Sequence, residues 1–386
     1  GTDGFFYESF HYFGFAFRWM VRYFDAHMAA TGEDLYAAMK PKFDGMKYFV
    51  MHSVLPDGEN VFDFADIGDG SLNRNGTSRR ETIESEYDIL YRFAAKYKDA
   101  QAQTVGDFLR TRTKLKTRDP MWAFINRDPK LKPADLSQIP LQYYFKDSDT
   151  IFWRSSWTKD ATAFAFRCAP PEGHHAAHLA SKISDWRQNT GHAHPDANSF
   201  IIWANGKYLT GDTGYLGIKQ TDDHNTILVN GRGQANDGVY EMFKTVPNER
   251  LDKIRIAEYW SNDEYFYARG GERLLRRSRL EKIRPSFPVR NAGLFRSLGR
   301  TGNRKARGIH VYAECRSRGQ AERFAYRSCE RRFFARGLSR RANGCADRDC
   351  SADRPGPGST GQRRQRRLGT AWPSAARDVS KSRFAL

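Results

Sequence analysis

The stretch TGHAHPDANSFIIWANGKYLTGDTGYLGIKQTDDHNTILV, residues 190–229, decides how the rest of the chain is interpreted. At its centre, Asn205-Gly206 lies between the apolar segments IIWA and KYLT, which is the sequence of a type I′ hairpin turn. Counting outward from the turn, we expect four facing pairs: Ala204–Lys207, Trp203–Tyr208, Ile201–Thr210 and Ser199–Asp212. The stretch therefore predicts a hairpin whose second strand ends at Asp212.

Potential metal ligands collect at the open end of this hairpin. A histidine pair precedes its first strand, Asp212 ends its second, and His224 is expected to begin a further strand over Asn225–Val229. Imidazole and carboxylate groups are ligands of Zn²⁺. Hydrogen bonds that orient the imidazoles would come from a neighbouring side chain: Asp223, Asn225 or Thr226. We therefore predict a Zn²⁺ site at this edge of the sheet.

The histidine pair, His192 and His194, leaves its own roles open. Residues two apart share one face of a regular strand, but Pro195 disturbs regular pairing, so one imidazole can bind metal while the other faces a cleft. The segment HAHPDAN also matches half of the HxHxDH signature of metallo-β-lactamase-type hydrolases. Ala197 stands where the closing histidine belongs, which argues against a binuclear hydrolase. A second cluster is interpreted as loop or substrate-rim residues: His174, His175 and His178.

The net charge of +18 is concentrated near the end of the chain. Residues 284–386 hold 25 Lys and Arg against 7 Asp and Glu, which leaves equal numbers of basic and acidic residues in 1–283. A neutral body argues against a nucleic-acid-binding protein. From about Gly270 onward, apart from a strand near Glu281–Pro288, the sequence shows neither a sustained helical nor a sustained strand periodicity. We interpret residues 271–386 as a frameshifted translation product or a disordered basic tail, with a nucleic-acid arm as the alternative.

Helical patterns come first in the chain and strand patterns follow. A buried helix is predicted by apolar residues at three-four spacing: Phe6, Phe10, Phe13, Phe17, Met20 and Phe24. Further helices are predicted over Asp34–His52, with Pro41 restarting the helix, from a Ser78/Glu81 capping box to about Lys98, and over Thr104–Lys114. The predicted strands are Ile151–Trp157, Thr162–Cys168, Ser199–Ala204, Lys207–Gly211, Asn225–Val229 and Glu264–Ala268. This order predicts a helical layer followed by an antiparallel β-sandwich, not a βαβ fold.

Three segments together, GHAHPDANSF, GKYLTGDTGY and DHNTILVNGRGQ, resemble the β-sandwich domain of the heparinase II/III-like polysaccharide lyases, which include alginate-lyase relatives. The resemblance implies an incomplete (α/α) toroid, the C-terminal part of a catalytic domain, over residues 1–135. It implies a truncated antiparallel β-sandwich over residues 136–270. The implied activity is β-elimination on uronic-acid-containing glycans, which gives 4,5-unsaturated products. An acidic polysaccharide substrate and a periplasmic or secreted location also follow from it. We further expect a possible homodimer, and neither a nucleic-acid nor a membrane partner.

The resemblance also assigns site residues. It implies that a structural Zn²⁺ is bound by His194, Asp212 and His224. It implies that the catalytic residues are Tyr12 and His192, and that Tyr215 lines the cleft. Tyr12 matches the family pattern Glu-Gly-x-x-Tyr-x-x-Tyr, from which Ser9 and Phe15 depart. Tyr12 would protonate the leaving oxygen while His192 takes the C5 proton or contacts the carboxylate, and these roles would exchange for the other C5 epimer.

Other functions remain open at this point. We expect the chain to begin inside the toroid, after the His or Asn-His element that the family uses. It is therefore alternatively an inactive or carbohydrate-binding remnant of such a lyase. The third hypothesis is a Zn²⁺ hydrolase, whose products would lack the 4,5-double bond.

Overall fold

The computed structural model describes residues 2–67, 84–183, 186, 191–228, 232–261 and 265–271, and the backbone of 282–290 and 312–316. All of them lie in one compact unit, Gly1–Phe334. The predicted Ser78/Glu81 capping box and the rest of the basic tail lie outside the described residues. Within the described part of the chain, no helix combines the length and apolar character needed to cross a bilayer.

Helices precede the first strand, as the sequence predicts. The described helices are α1 (Phe10–Thr31), α2 (Leu35–Phe43), α3 (Met46–Ser53), α4 (Tyr87–Tyr97), α5 (Ala100–Arg112), α6 (Pro120–Asn126), α7 (His174–Ala180) and α8 (Asn248–Leu251). The Ser9 hydroxyl accepts a hydrogen bond from the Tyr12 amide at the start of α1, and Gly32 ends the helix at a φ of 77°. Both are usual helix caps.

The prediction of one helical segment over Asp34–His52 is wrong in its internal break. Pro41 lies inside α2 and does not restart a helix there. The chain instead breaks at Gly45, between α2 and α3. A Cβ atom at this position would lie 1.8 Å from the Asp3 carbonyl oxygen, so the close approach of the N-terminal segment requires glycine.

The strands form two antiparallel sheets. They are β1 (Gln142–Phe145), β2 (Thr150–Arg154), β3 (Ala163–Arg167), β4 (Ser199–Ala204), β5 (Lys207–Thr210), β6 (Arg255–Ser261), β7 (Tyr265–Gly271), β8 (Lys282–Arg290) and β9 (Tyr312–Arg316). The first sheet has the order β1-β2-β3-β4-β5 and the second β6-β7-β8-β9. The sequence analysis did not predict β1, β6 or β9. Strand β1 is mostly half-buried and β6 is mostly exposed.

The first sheet is buried on both faces. Phe152 and Ile201 pack with the aromatic core of the helices. On the opposite face, Ile151 and Phe164 belong to a second apolar cluster, in which the Phe164 ring lies 5.9 Å from that of Phe266 in β7. Burial on two faces explains why β2, β3 and β4 read as continuous apolar runs without polar alternation.

The predicted hairpin is confirmed at its turn and corrected in its register. Asn205 and Gly206 both have positive φ, at 54° and 74°, as a type I′ turn requires. The pairs Ala204–Lys207 and Trp203–Tyr208 form, but a β-bulge then pairs Thr210 with Ile202. The predicted pairs Ile201–Thr210 and Ser199–Asp212 are therefore wrong, because one extra residue on β5, Leu209, shifts every later pair.

The segment after the hairpin also differs from its prediction. Residues 225–228 form no regular strand, and His224 follows a 3₁₀ turn, Thr221–Asp223. This turn is closed by a reciprocal capping box between Gln220 and Asp223. Local side-chain hydrogen bonds of this kind compete with strand pairing. The apolar residues on which the strand prediction rested do not reveal this competition.

Gly206 should be the costly position to substitute in this hairpin. A Cβ there would meet no atom within 4 Å, so only the left-handed backbone opposes it. We expect Gly206→Ala to lower the free energy of unfolding by about 1 kcal/mol, measured by urea denaturation. Gly217→Ala is the control, since Gly217 also has open space but no positive φ. Equal losses in both variants would contradict this explanation.

The cluster His174, His175 and His178 does not form the predicted loop, because it lies on α7. His174 binds two carboxylates, with Nε2 2.8 Å from Asp149 Oδ2 and Nδ1 2.8 Å from Asp252 Oδ1. Burial lowers the pKa of His174, but hydrogen bonds to Asp149 and Asp252 outweigh it and leave the pKa above its ordinary value of 6.5. His174 therefore links a carboxylate next to β2 with one next to α8.

This link predicts a pH-dependent stability. Because the folded pKa of His174 is raised, its contribution is fully present below pH 6.5 and is lost as pH rises through the folded value. We expect His174→Gln to lower the melting temperature strongly at pH 6 and weakly at pH 9. Thermal denaturation across this range, with His178→Gln on the exposed side of α7 as control, tests it. A pH-independent difference would contradict the assignment.

Candidate functional site

One edge of the first sheet carries the predicted site. The start of β4 and the end of β5 lie at this edge because the two strands are antiparallel. Residues 191–198 lead into β4, and Asp212 follows β5 by two residues. His224 returns to the same place after the 3₁₀ turn Thr221–Asp223. The structure therefore brings the predicted ligands together through irregular segments, although the predicted strand pairing is absent.

The three predicted ligands form a compact, buried cluster. One ligand atom from each of His194, Asp212 and His224 lies within 4.8 Å of the other two. His194 Nδ1 and His224 Nε2 are buried and have no hydrogen-bond partner, while His224 Nδ1 lies 2.7 Å from Asp212 Oδ2. A buried polar atom without a partner is costly. Two such imidazole nitrogens beside a carboxylate fit the donor set of a metal site.

The two imidazoles of the cluster have opposite electrostatic environments. Burial lowers the pKa of His194 despite its contact with Asp66, so this ring is neutral and retains a lone pair. Burial also disfavours charge on His224, but the Asp212 carboxylate outweighs it and raises its pKa. Metal binding at His224 would require Nε2 to carry no proton.

The three predicted cleft residues also meet. The rings of Tyr12 and His192 have centroids 4.3 Å apart, and Tyr215 lies 6.2 Å from His192. The Tyr12 hydroxyl donates a hydrogen bond to the Tyr215 oxygen at 3.2 Å. Tyr12 comes from the first turn of α1, so the helical layer and the sheet edge each contribute one ring to the pair.

The Tyr12 hydroxyl is strongly held in its protonated form. Burial raises its pKa most, and the hydrogen bond to Tyr215 adds to the effect. The negative charges of Asp66 and Glu8 raise it further. A phenol with a raised pKa stays protonated at neutral pH, so it is not available as a base there.

Asp66 is the principal site residue that the sequence did not indicate. Its Oδ2 lies 2.6 Å from His192 Nδ1, and its Oδ1 lies 2.8 Å from His194 Nε2. The predicted orienting residues act elsewhere: Asn225 donates to the Gly211 carbonyl and Thr226 to the Ala197 carbonyl. Burial raises the pKa of Asp66, but hydrogen bonds from both imidazoles outweigh it and keep the carboxylate ionised.

Lys219 and Tyr240 also border the site without having been predicted. The Lys219 ammonium is buried, donates to the Gly191 carbonyl at 2.7 Å and lies 4.4 Å from the centre of the Tyr240 ring. It therefore anchors the residue before His192. Tyr240 and Tyr215 are each about half exposed. No motif marks these positions, because a lone Lys and a lone Tyr in a loop usually face solvent.

Comparison with known families identifies this part of the chain. Residues 144–280 match the family model described as Heparinase II/III-like, C-terminal. This segment is similar to the C-terminal domain of heparinase II/III-like proteins. The resemblance seen in the sequence is thereby confirmed. The matched segment contains His192, His194, Asp212, Tyr215 and His224, whereas Tyr12 and Asp66 lie before it. No curated protein matches the chain.

Solved structures give distant likenesses. The heparan sulfate lyase HepC from Pedobacter heparinus is 15% identical, with 75% of this chain and 37% of that one covered and a TM-score of 0.46. The heparinase III-BT4657 gene product is 17% identical, with 75% and 38% covered and a TM-score of 0.41. A further heparinase III is 12% identical, with 75% and 40% covered and a TM-score of 0.44. This chain thus spans well under half the length of these proteins.

Proposed function

We propose that the chain is part of a polysaccharide lyase that cleaves uronic-acid-containing glycans by β-elimination. The observation that carries the proposal is the contact between Tyr12 and His192, whose ring centroids lie 4.3 Å apart, at the edge of the segment that matches a heparinase II/III-like C-terminal domain. In this proposal residues 1–135 are the C-terminal part of an (α/α) toroid and the two sheets are a β-sandwich. The substrate is an acidic polysaccharide, and the enzyme acts in the periplasm or outside the cell.

The chemistry requires a base and an acid on either side of the bond that breaks. The base removes the proton from C5 of the uronate, the C5–H electrons form the 4,5-double bond, and the bond from C4 to its oxygen breaks. The acid then protonates the departing oxygen. Charge that develops on the uronate carboxylate during this step must be stabilised by a donor or a cation.

His192 is suited to the role of the base. Its Nδ1 is held by the buried Asp66 carboxylate, which leaves Nε2 as the ring nitrogen for the substrate. A carboxylate behind an imidazole stabilises the imidazolium that forms when the base takes a proton. The side chain is partly exposed, at 22%, so a sugar can reach it. The same imidazole, once protonated, can contact the uronate carboxylate.

Tyr12 is suited to the role of the acid. Burial and the hydrogen bond to Tyr215 raise its pKa, so that the hydroxyl carries its proton at neutral pH. As the C4–O bond breaks, the departing oxygen takes this proton and Tyr12 is left as a phenolate. Tyr215, which shares the hydrogen bond, orients the hydroxyl and lines the cleft.

We propose Zn²⁺ as the metal of the cluster His194, Asp212 and His224. Two imidazoles and one carboxylate are a common Zn²⁺ donor set, and the two unpartnered buried nitrogens support a cation at this place. When bound, the ion would crosslink the segments before β4 and after β5. Its role in this proposal is structural, and the proton transfers are assigned to Tyr12 and His192.

The alternative function is carbohydrate binding without turnover. It is favoured by the departures Ser9 and Phe15 from the family pattern around Tyr12. The exposed rings of Tyr215 and Tyr240 would serve a binding site as well as an active site.

An eliminase assay separates these functions. The protein, expressed from its gene with whatever coding sequence precedes Gly1, is incubated with heparan-type, alginate-type and ulvan-type polymers. We expect ultraviolet absorbance from the 4,5-double bond to rise with one of them. Cleavage to saturated ends would indicate a hydrolase instead. Binding without cleavage, seen by calorimetry, would support the carbohydrate-binding alternative and contradict the lyase.

A further inference from the structure

The Asp66 side chain touches both the metal cluster and the cleft. Its carboxylate is completely buried. One oxygen binds the proposed ligand His194 and the other binds His192. His194 uses Nε2 for this contact, which leaves its buried, unpartnered Nδ1 as the nitrogen for a metal. A continuous path therefore runs from the metal site through one carboxylate to the imidazole that faces the cleft.

The backbone of Asp66 is tied to the opposite wall of the cleft. The Ser9 hydroxyl donates to the Asp66 carbonyl at 2.8 Å, and the same hydroxyl caps the Tyr12 amide. The preceding residue, Ala65, has a φ of 60°, and the Ile67 amide donates to the Ala65 carbonyl. Left-handed backbone at a residue with a side chain costs energy and is concentrated at functional sites. The turn thus fixes the direction of the Asp66 carboxylate.

We propose that Asp66 is a positioning residue that makes the orientation of His192 depend on metal binding at His194. The inference rests on the function proposed above, because it assigns His192 to the reaction and a metal to the cluster. A carboxylate turns as one rigid plane, so an imidazole that holds Oδ1 also sets the direction of Oδ2. Metal bound at the far nitrogen of His194 strengthens its N–H donation to Asp66, which in turn orients His192.

Zinc affinity is the first test. We expect Asp66→Asn to weaken zinc binding about 10- to 100-fold, measured by competition with a chromogenic chelator. The matched control is Asp149→Asn, because Asp149 is also buried and also binds a histidine, His174, which is not one of the three proposed ligands. This control should lose stability and keep its zinc affinity. Wild-type zinc affinity in Asp66→Asn would overturn the proposal.

The second test reads His192 directly. Diethyl pyrocarbonate acylates accessible imidazole nitrogens, and mass spectrometry of peptides gives the rate at His192 alone. In the wild-type protein, zinc removal should raise this rate severalfold because the ring is released. In Asp66→Asn the rate should be high with and without zinc. If the wild-type protein binds zinc but its acylation rate at His192 is the same with and without zinc, the coupling is overturned.

A reciprocal pair of variants covers the case in which Asp66→Asn does not fold. His192→Ala removes one of the two partners of Asp66 at a partly exposed position and should weaken zinc binding severalfold. His192→Gln keeps an N–H donor for Asp66 and should restore most of the affinity. Equal affinity in both variants would count against the proposal, as would a wild-type chain that binds no zinc.

None of these measurements requires cleavage of a polysaccharide. A chain without lyase activity that still shows the coupling would overturn the proposed function and leave the role of Asp66 intact. A chain with lyase activity and tight zinc binding, but no effect of Asp66→Asn on either readout, would overturn the coupling alone.

Discussion

Tyr12→Phe is expected to lower kcat of β-elimination about 10²- to 10⁴-fold, the usual contribution of a positioned general acid. The substitution removes one oxygen and keeps the ring that packs on His192 at 4.3 Å. Without the hydroxyl, the departing C4 oxygen must take its proton from water. KM should change little, because the phenol acts mainly when the C4–O bond breaks. The rise in absorbance of unsaturated products measures the effect.

Two tyrosines supply controls for this variant. Tyr23→Phe, on the exposed side of the same helix, should retain wild-type rate, since its ring is 60% exposed. Tyr215→Phe removes the acceptor of the Tyr12 hydrogen bond while it leaves the acid in place, so its loss should be smaller than that of Tyr12→Phe. If Tyr12→Phe keeps most of its activity, or if Tyr215→Phe loses more, the acid is not Tyr12.

The parts of the fold that the sequence predicted are those with local causes. Asn205-Gly206 defines a turn by its own backbone preferences, and the buried face of α1 follows from residues three and four apart. The β-bulge between Ile202 and Trp203 was not predictable in this way. It depends on how β4 and β5 fit their neighbours, and no residue type signals it.

The site residues also differ in whether local sequence could predict them. His194, Asp212 and His224 were predicted together because they flank one hairpin within about thirty residues, although the strand expected after His224 is absent. Asp66 lies 126 positions before His192 in a loop rich in Asp and Gly, where an aspartate usually serves a turn. Its role exists only because the loop is folded against the sheet edge, which is a tertiary fact.

Tyr12 shows how a resemblance and a pattern can disagree. By periodicity alone it is one more aromatic residue in a helix that carries many. Only the family pattern distinguished it, and that pattern fails at Ser9. In the structure Ser9 binds both the Tyr12 amide and the Asp66 carbonyl, so a departure from the pattern is part of the site.

Zinc removal is expected to destabilise the protein by about 3 kcal/mol when free zinc exceeds the Kd about a hundredfold. The reason is that the cluster is completely buried: the side chains of His224 and Asp212 are both inaccessible to solvent. Without a cation, two imidazole nitrogens remain buried and unpartnered. Thermal denaturation with and without a chelator measures the difference, and metal analysis should give one zinc per chain.

Ligand variants make this prediction specific to the cluster. His224→Ala should abolish stoichiometric zinc and melt at the same temperature with or without the chelator, because it has no zinc to lose. His174→Ala is the control: it also removes a histidine that binds carboxylates, at Asp149 and Asp252, and should lower stability while zinc remains bound. The prediction is contradicted if His224→Ala keeps one zinc, or if the chelator does not change the melting temperature of the wild-type protein. These three residues would then be held together by hydrogen bonds alone, and the unpartnered nitrogens would need another explanation.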